Sequence, residues 1–426
     1  MSTLSAPKIV MAMMDSYIET YEQQPTLLDK VNFREPDGEQ MQHSGNVVWE
    51  PVQQHAPLIS GWDVSNQGTG IIQEMCPRVL GTPSNDVVVQ RIDDMRTQKF
   101  WTDRAEVSAR RQATNLQVLI ATAIKNQGSR FYRSNDDSGY DFIAIAQAML
   151  NETQNPDNGR TFVLNDRDLL KFSKDLAGRQ TLQGRPDETW KKGDIGKNIA
   201  GFDLMTGSFL PNITGAADPA VTVTGNHSFA PQGGTVNATT LVVTNVDYRE
   251  ATFVVNDSSL LAVGDKFTVE NSGTPVYALG KADKTNTGQA MTFTVIELTD
   301  PTHIKVYPKP IAADDSSLST LEKAYANVDT TILNAATITR LNTDSTKKTN
   351  IFFDKMAVEV IGGTIPAHLF PDMNGSKKLE HKMPNGLNVY MLYKGDIMTM
   401  DFTFRLFTWF GISVVDPTNC GCAVTY

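Results

Sequence analysis

The stretch HIKVYPKPIAADDSSLSTLEKAYANV, His303–Val328, passes from one kind of secondary structure to another. Ile304 and Val306 alternate with less apolar residues, which predicts a strand. Pro308 and Pro310 have no backbone N–H to donate to a sheet, so they end this strand. Turn-forming residues follow, and a short helix is then predicted by apolar residues at near-helical spacing: Leu321, Tyr325 and Val328. The stretch is therefore either an ordinary loop or the edge of a separate domain.

The region upstream, from about Val221 to Pro310, is rich in Thr and Val and is divided by Gly, Asn, Asp and Pro. This composition suits half-buried pleated surfaces. Six short strands are predicted: AVTVTG, TLVVTNV, ATFVVN, DKFTVEN, MTFTVIEL and HIKVYPKP. They indicate a compact β-barrel or sandwich with its own core, and the quoted stretch is its exit. Between Pro211 and Gly280 the only Lys or Arg residues are Arg249 and Lys266, which also marks this region off.

The flanking regions have a different, mixed pattern. Between about 97 and 127 apolar residues recur every three or four positions, which predicts a long helix that ends at Gly128. Its apolar stripe consists of Ala105, Ala109, Ala113, Leu116, Ile120 and Ile124. Further elements are predicted as helices at 141–150 and 165–177 and as strands at 161–165 and 402–414. The fold class expected is α+β, with an inserted all-β domain.

Composition excludes several classes of protein. The 426 residues carry a net charge of −10 and a pI near 5.2. This charge argues against a protein whose function is to bind nucleic acid, but it is compatible with a container for DNA. Asp15 and Glu19 interrupt the apolar N-terminal stretch, so we expect no signal peptide or membrane span and a cytosolic site of synthesis. Cys76 stands alone, and Cys420 and Cys422 are too close in sequence for an easy disulfide. This Cys-x-Cys pair would hold a metal only with a second ligand pair, which is not nearby, the six histidines lack metal-site spacing, and no catalytic motif is present. We therefore expect no cofactor, no metal and no enzyme.

Two segments instead suggest assembly with a neighbour. Residues 1–35 combine a helix-like stretch with a polar arm, and residues 45–90 are long, strand-like and rich in Gly and Pro. Trp49 and Trp62 lie in the second segment with little to bury them locally, and exposed aromatics are typical of surfaces that pack on another subunit. The alternative from composition alone is a carbohydrate-binding or adhesin-like β-sandwich of a virion or tail.

Four stretches carry a resemblance to a known family: VVWEPVQQHAPLISGWD at 47–63, the long helix near 97–127, IAGFDLM at 199–205 and, above all, the quoted stretch. Together they resemble the major coat protein of short-tailed double-stranded DNA phages in which an immunoglobulin-like domain is inserted. The resemblance runs over nearly the whole chain. It implies the capsid fold of tailed phages and herpesviruses, and it makes the quoted stretch the return from the inserted domain to the capsid core.

The resemblance also implies a division of the chain. The implied parts are an N-terminal arm at 1–35, an extended-loop region at 36–90, a peripheral domain with a spine helix at 91–132, an axial domain at 133–221, the inserted domain at 222–342, and a return to the axial and peripheral domains at 343–426. The implied function is a structural protein of the virion. It would form pentamers and hexamers of an icosahedral procapsid that expands when DNA is packaged.

The implied partners are the chain itself, a scaffolding protein, a portal protein and the packaged double-stranded DNA. The resemblance places a scaffold contact at Asp15 and contacts between capsomers in a loop of the insert. That loop includes Thr235, Val236 and Asn237. In the best-known relative the corresponding loop is acidic, whereas residues 231–240 here contain no charged residue. Salt bridges from this loop are therefore not expected. The contacts between subunits expected at Trp49 and Trp62 rest instead on the two aromatic side chains themselves.

Overall fold

The computed structural model describes residues 6–24, 27–36, 46–52, 62, 73–91, 98–134, 139–179, 199–231, 235–236, 239–240, 243–343, 346–365, 377–396 and 398–425. The chain forms two compact units. The first consists of Met1–Val48, Arg78–Ile120 and Glu359–Ser413, and the second of Trp49–Pro77, Ala121–Val358 and Val414–Tyr426. In the described residues the α-helices are α1 (Ala6–Glu22), α2 (Gln98–Gln127), α3 (Gly139–Glu152), α4 (Asp166–Arg179) and α5 (Thr320–Lys323).

Strands make up most of the remaining regular structure. The described strands are β1 (Asn32–Arg34), β2 (Val47–Pro51), β3 (Met75–Val79), β4 (Ser84–Arg91), β5 (Arg130–Ser134), β6 (Arg160–Leu164), β7 (Asp203–Thr206), β8 (Asn212–Ile213), β9 (Val221–Thr222), β10 (Thr235–Val236), β11 (Val243–Thr244), β12 (Ala251–Val254), β13 (Lys266–Asn271), β14 (Thr274–Pro275), β15 (Tyr277–Leu279), β16 (Asn286–Ala290), β17 (Thr292–Asp300), β18 (His303–Tyr307), β19 (Thr337–Arg340), β20 (Lys347–Lys348), β21 (Asn350–Asp354), β22 (Val358–Gly362), β23 (Lys377–Lys382), β24 (Asn388–Gly395), β25 (Asp401–Thr408), β26 (Phe410–Val414) and β27 (Cys420–Thr425).

The first unit contains a four-stranded antiparallel sheet, ordered β23-β24-β25-β4, against which helices pack. Trp101 of α2 contacts Phe404 of β25, with ring centroids 5.0 Å apart. The fully buried Tyr17 of α1 donates a hydrogen bond to Gln112 Oε1 of α2 at 2.7 Å. The N-terminal helix is therefore packed on α2 and forms part of this unit's core.

The long helix is confirmed. α2 has 30 residues, or about 45 Å at 1.5 Å per residue. All six residues of the stripe expected from the sequence are buried, and the alanines allow close approach of neighbouring elements. Gly128 follows the helix directly. A Cβ at this position would lie 2.7 Å from the Ile124 carbonyl oxygen and 3.0 Å from that of Cys420, so a larger residue does not fit.

The core of the second unit includes a five-stranded mixed sheet, ordered β5-β27-β21-β6-β7. β21 is antiparallel to both of its neighbours, whereas the outer pairs β27–β5 and β6–β7 are parallel. Aromatic residues of α3 and α4 pack with those of the sheet in one cluster, which includes Phe142, Phe162, Phe172 and Phe352. The predicted helices at 141–150 and 165–177 and the strand at 161–165 are present with small shifts of their ends.

Residues 221–340 form a closed barrel. Its strands run in the order β12-β18-β17-β13-β19-β9, and each neighbouring pair is antiparallel. An antiparallel bridge joins Val223 to Val255, and the Thr224 N–H donates to the Val254 carbonyl at 2.7 Å, so the two end strands meet. Its buried core cluster is drawn entirely from residues between Val221 and Ile338. Closure distinguishes it from a two-sheet immunoglobulin sandwich.

Two predictions for the C-terminal part of the barrel were incomplete. β19 was missed, although it is the strand between β13 and β9. The helix predicted as far as Val328 is wrong in extent, because α5 ends at Lys323 after a capping box between Ser319 and Glu322. Val328 instead bridges two extended segments, at Ala278 and Ala312. The apolar spacing arises from burial in the barrel rather than from one helix face.

The single strand predicted over 402–414 is in fact two strands in two sheets. β25 belongs to the four-stranded sheet, and β26 belongs to a three-stranded sheet ordered β1-β22-β26. The chain changes sheet at Trp409, whose indole N–H donates to the Gly81 carbonyl at 2.8 Å. Its own carbonyl accepts from the Gly363 N–H, also at 2.8 Å. Apolar and polar residues keep alternating with period two through such a change of sheet, so the sequence pattern does not reveal where the chain changes sheet.

Candidate assembly surfaces

Asp15 lies on the solvent-exposed side of α1. Met11, Glu19 and Glu22, at helical spacing from it, are exposed too. The other side of the helix is buried within the first unit: Val10, Met13, Met14, Tyr17 and Tyr21. Burial of the apolar side fixes the helix in one orientation, and α1 therefore presents three carboxylates to solvent on one side.

The two tryptophans of the extended-loop region differ in exposure. Trp62 is fully exposed, with an accessible surface of 107% of its reference value. Trp49 is half-buried on β2, which pairs with β3. The Val52 N–H donates to the Glu74 carbonyl at 2.9 Å and extends this pairing. Trp62 is therefore not packed against the part of the chain that the structure describes.

The proposed capsomer-contact loop begins in a short hairpin. β10 pairs with β11, with Thr235 opposite Thr244 and Val236 opposite Val243. Asn237 lies outside the described residues. The predicted contact residues that the structure describes therefore lie at separate places in the chain: Asp15 on α1, Trp49 on β2, Trp62, and Thr235 and Val236 in this hairpin.

Sequence reasoning missed a polar contact surface between the barrel and the remainder of the second unit. Its signal was present, because Arg249 and Lys266 are the only cations in a stretch of seventy residues. Both are buried against backbone carbonyls. We call this surface the docking seam. It comprises Tyr248, Arg249, Lys266, Lys281–Asp283, Gln289 and Thr294 on the barrel, and Gly128, Arg130, Glu152–Gln154 and Val414–Asp416 opposite them.

Lys266 forms one end of the docking seam and is fully buried. Its ammonium donates to the Gly128 carbonyl and, at 2.8 Å, to the Thr294 hydroxyl, which donates to the same carbonyl at 2.9 Å. A helix leaves its last carbonyls without intrahelical partners, and its dipole favours a cation there. Lys266 and Thr294 therefore cap the C-terminal end of α2. Burial lowers the pKa of Lys266 to about 8.

Arg249 and Tyr248 hold the segment that leads into β27. The Arg249 guanidinium donates to the Val414 carbonyl, and the Tyr248 hydroxyl donates to the Val415 carbonyl. Asp247 fixes the guanidinium by accepting from its Nε at 3.0 Å and from one terminal nitrogen at 2.8 Å. This bidentate geometry orients the guanidinium toward the carbonyl.

A loop after β15 contacts the C-terminal end of α3. The Lys281 N–H donates to the Thr153 carbonyl at 3.2 Å. The side-chain oxygen of Gln154 accepts from the next two backbone N–H groups of the loop, at 3.1 and 3.2 Å. The Lys281 ammonium pairs with Asp416. Burial alone would raise the pKa of Asp416, but the charge and hydrogen bond of Lys281 hold it below its ordinary value.

The pKa of Lys266 leads to a prediction of pH dependence. Between about 8 and the ordinary value of 10.5, the folded chain binds fewer protons at this position than the unfolded chain. The difference in the free energy of unfolding, wild type minus Lys266→Met, should therefore rise from neutral pH to about pH 10. Urea unfolding of both proteins at the two pH values measures this difference. Lys355→Met, at an exposed lysine, is the control, and a difference that falls with pH would contradict the prediction.

Within the described ranges, no helix is long and apolar enough to cross a membrane. Among those same residues, no three His, Cys, Asp or Glu side chains lie together as a metal site requires.

The described residues form a mixed α+β fold with a long helix and a closed barrel. The family is given by the sequence: the model described as P22 coat protein, gene protein 5, matches residues 1–425, so the chain belongs to that family. Similar solved structures include a chain of Mycobacterium phage Che8, 12% identical, covering 94% of this chain and 91% of that one at a TM-score of 0.43. The capsid of Cyanophage P-SCSP1u is 11% identical, with 95% and 89% covered and a TM-score of 0.45.

Family membership establishes the general function. The protein is a structural major capsid protein that assembles with copies of itself into capsid oligomers enclosing DNA, and it is located in the virion capsid. It is not an enzyme, as predicted. The family match covers the barrel as well as its flanks, so it rules out the alternative of a carbohydrate-binding or adhesin-like protein.

Proposed function

We propose that this coat protein assembles with a scaffolding protein into pentamers and hexamers of a procapsid, which expands when DNA is packaged. Membership of the coat protein family supports this pathway. The observation that carries the scaffold contact is the row of carboxylates on the exposed side of α1: Asp15, Glu19 and Glu22. A basic helix of the scaffolding protein is the complementary partner, because opposite charges attract and orient the two proteins at encounter.

The proposed division of the chain follows the family. Residues 1–35 serve as the N-terminal arm, 36–90 as the extended loop, and 91–132 as the peripheral domain with α2 as its spine helix. Residues 133–221 belong to the axial domain, and 222–342 form the insert. Residues 343–426 return to the axial and peripheral domains. The portal protein is a further proposed partner at assembly.

Contacts between coat subunits are proposed at Trp49 and Trp62, and contacts between capsomers at the hairpin that contains Thr235, Val236 and Asn237. The full exposure of Trp62 supports the first proposal, because a large aromatic ring in water gains most from burial at an interface. The second rests on the family alone. Since residues 231–240 are uncharged, the hairpin would contact its neighbour through hydrogen bonds and apolar groups.

Asp15→Asn tests the scaffold contact. The variant keeps the shape of the side chain and removes its charge, so it should lower the scaffold content of purified procapsids several-fold and increase aberrant shells. In the wild type, salt should weaken scaffold retention, since exposed ion pairs are screened. Gel densitometry and electron microscopy measure the two effects. Asp103→Asn, at an exposed acid of α2, is the matched control. Normal scaffold content in Asp15→Asn particles would refute the assignment.

A further inference from the structure

The barrel and the remainder of the second unit each have a hydrophobic core of their own, and the docking seam between them is polar. The barrel's core cluster contains only residues 221–338. The aromatic cluster of α3, α4 and the five-stranded sheet contains no barrel residue. Across the seam the contacts include hydrogen bonds to the ends of α2 and α3, to Arg130 of β5 and to the segment before β27, together with the Lys281–Asp416 pair. Beside the seam, the Tyr248 N–H also donates to the Met75 carbonyl of β3 at 3.0 Å.

The chain enters and leaves the barrel through a narrow two-stranded connection. β8 pairs antiparallel with β20, with Asn212 opposite Lys348 and Ile213 opposite Lys347. Thr349 adds two hydrogen bonds to the Pro211 carbonyl, from its N–H at 3.1 Å and its hydroxyl at 2.8 Å. We call this connection, residues 211–213 and 347–349, the stalk. It is the covalent attachment of the barrel, whereas the docking seam is non-covalent.

We propose that the barrel is a movable cap: it docks on the C-terminal ends of α2 and α3 through the docking seam, and it releases as a folded body about the stalk. The position of the barrel then determines whether the C-terminal ends of α2 and α3 are hydrogen-bonded to it. Release exposes the capped carbonyls to water while the barrel's own core stays intact.

The chemistry of the docking seam makes such release easier than unfolding. Backbone N–H and carbonyl groups that separate at the seam exchange their partners for water, so each contributes little net stability. The Lys281–Asp416 pair is about one quarter exposed on each side chain and is partly screened. By contrast, unfolding the barrel would expose its whole apolar core, and local openings that spare such a core cost less than global unfolding.

Gln154 allows a sharp test. It lies two residues beyond α3 with φ +55, in the left-handed region that glycine prefers at a helix end. Gln154→Gly should therefore suit the helix end while removing the acceptor for two N–H groups of the loop at 281–283. A loss of docking in this variant cannot come from a weaker α3. Ser272→Gly, at φ +52 in an exposed turn of the barrel, is the matched control.

The experiment is hydrogen exchange with mass spectrometry on full-length, unassembled coat protein. In the wild type, amides of 281–283 should exchange faster than those of β13 and β17. In Gln154→Gly, exchange at 281–283 should rise by about tenfold, with unchanged protection of β13 and β17, and Lys281→Gln should do the same. Ser272→Gly should leave 281–283 unchanged. The proposal fails if 281–283 exchanges at the rate of the barrel strands in the wild type, or if the seam variants accelerate both regions equally or neither.

Discussion

Trp62→Ala is expected to leave the isolated subunit folded, with its melting temperature within about 1 °C of the wild type, and to abolish shell assembly at concentrations at which the wild type assembles. Its ring is fully exposed in the single chain, so truncation opens no cavity in the subunit. A central aromatic at an interface typically contributes more than about 1 kcal/mol. Every subunit of a shell repeats the loss, so the effect on assembly is multiplied.

Thermal melting of the subunit and light scattering during assembly measure the two quantities. Trp62→Phe keeps an aromatic ring of similar reach and should retain most of the assembly, which makes it the matched control. If Trp62→Ala instead melts several degrees lower and its folded fraction assembles normally, the side chain belongs to the subunit's own core. The proposed contact between subunits would then be wrong.

The barrel, excised from the chain, is expected to fold by itself with one cooperative thermal transition and a β-type circular dichroism spectrum. The predicted boundaries of 222–342 need a small extension, because Val221 is fully buried in the barrel core. A fragment of 216–343 also retains Asp218, which accepts from the Arg340 N–H at 2.8 Å, and the Ala216–Asn342 hydrogen bond. At roughly 130 residues it is long enough to bury a core alone.

Ile338→Ala is the internal control for this fragment. Ile338 is fully buried on β19, so its truncation should cost about 2–5 kcal/mol and lower the melting temperature clearly. Leu333→Ala, at an exposed apolar residue of the same fragment, should have little effect. A wild-type fragment that stays unfolded under native conditions would mean that the barrel depends on the docking seam for its stability.

The helices and strands with strong periodicity could be predicted from the sequence. The alanine stripe of α2 sets one buried face over 30 residues. In β13 and β17 the alternating apolar residues enter the barrel core: Phe267, Val269, Phe293 and Val295. Closure of the barrel could not be predicted, because it depends on a long-range bridge between Val223 and Val255 and on β19. Local pattern carries no information about which strands meet.

The contact residues selected from the sequence remain predictions. Trp62 and Asp15 could be selected because an exposed aromatic and an acid on an amphipathic helix are visible in local sequence. The docking seam could not, since its acceptors are mostly backbone carbonyls, such as those of Gly128 and Val414, which any sequence supplies. The isolation of Arg249 and Lys266 in a cation-poor stretch indicated only that these two side chains had a special environment.

Electron microscopy of the purified, concentrated protein tests the central claim most directly. A major capsid protein assembles through its own surfaces, so we expect closed shells or polyheads with a regular lattice of capsomers, and uniform closed shells when a scaffolding protein is supplied. Wild-type protein that remains as discrete small particles under both conditions, while its subunits are folded, would contradict the account.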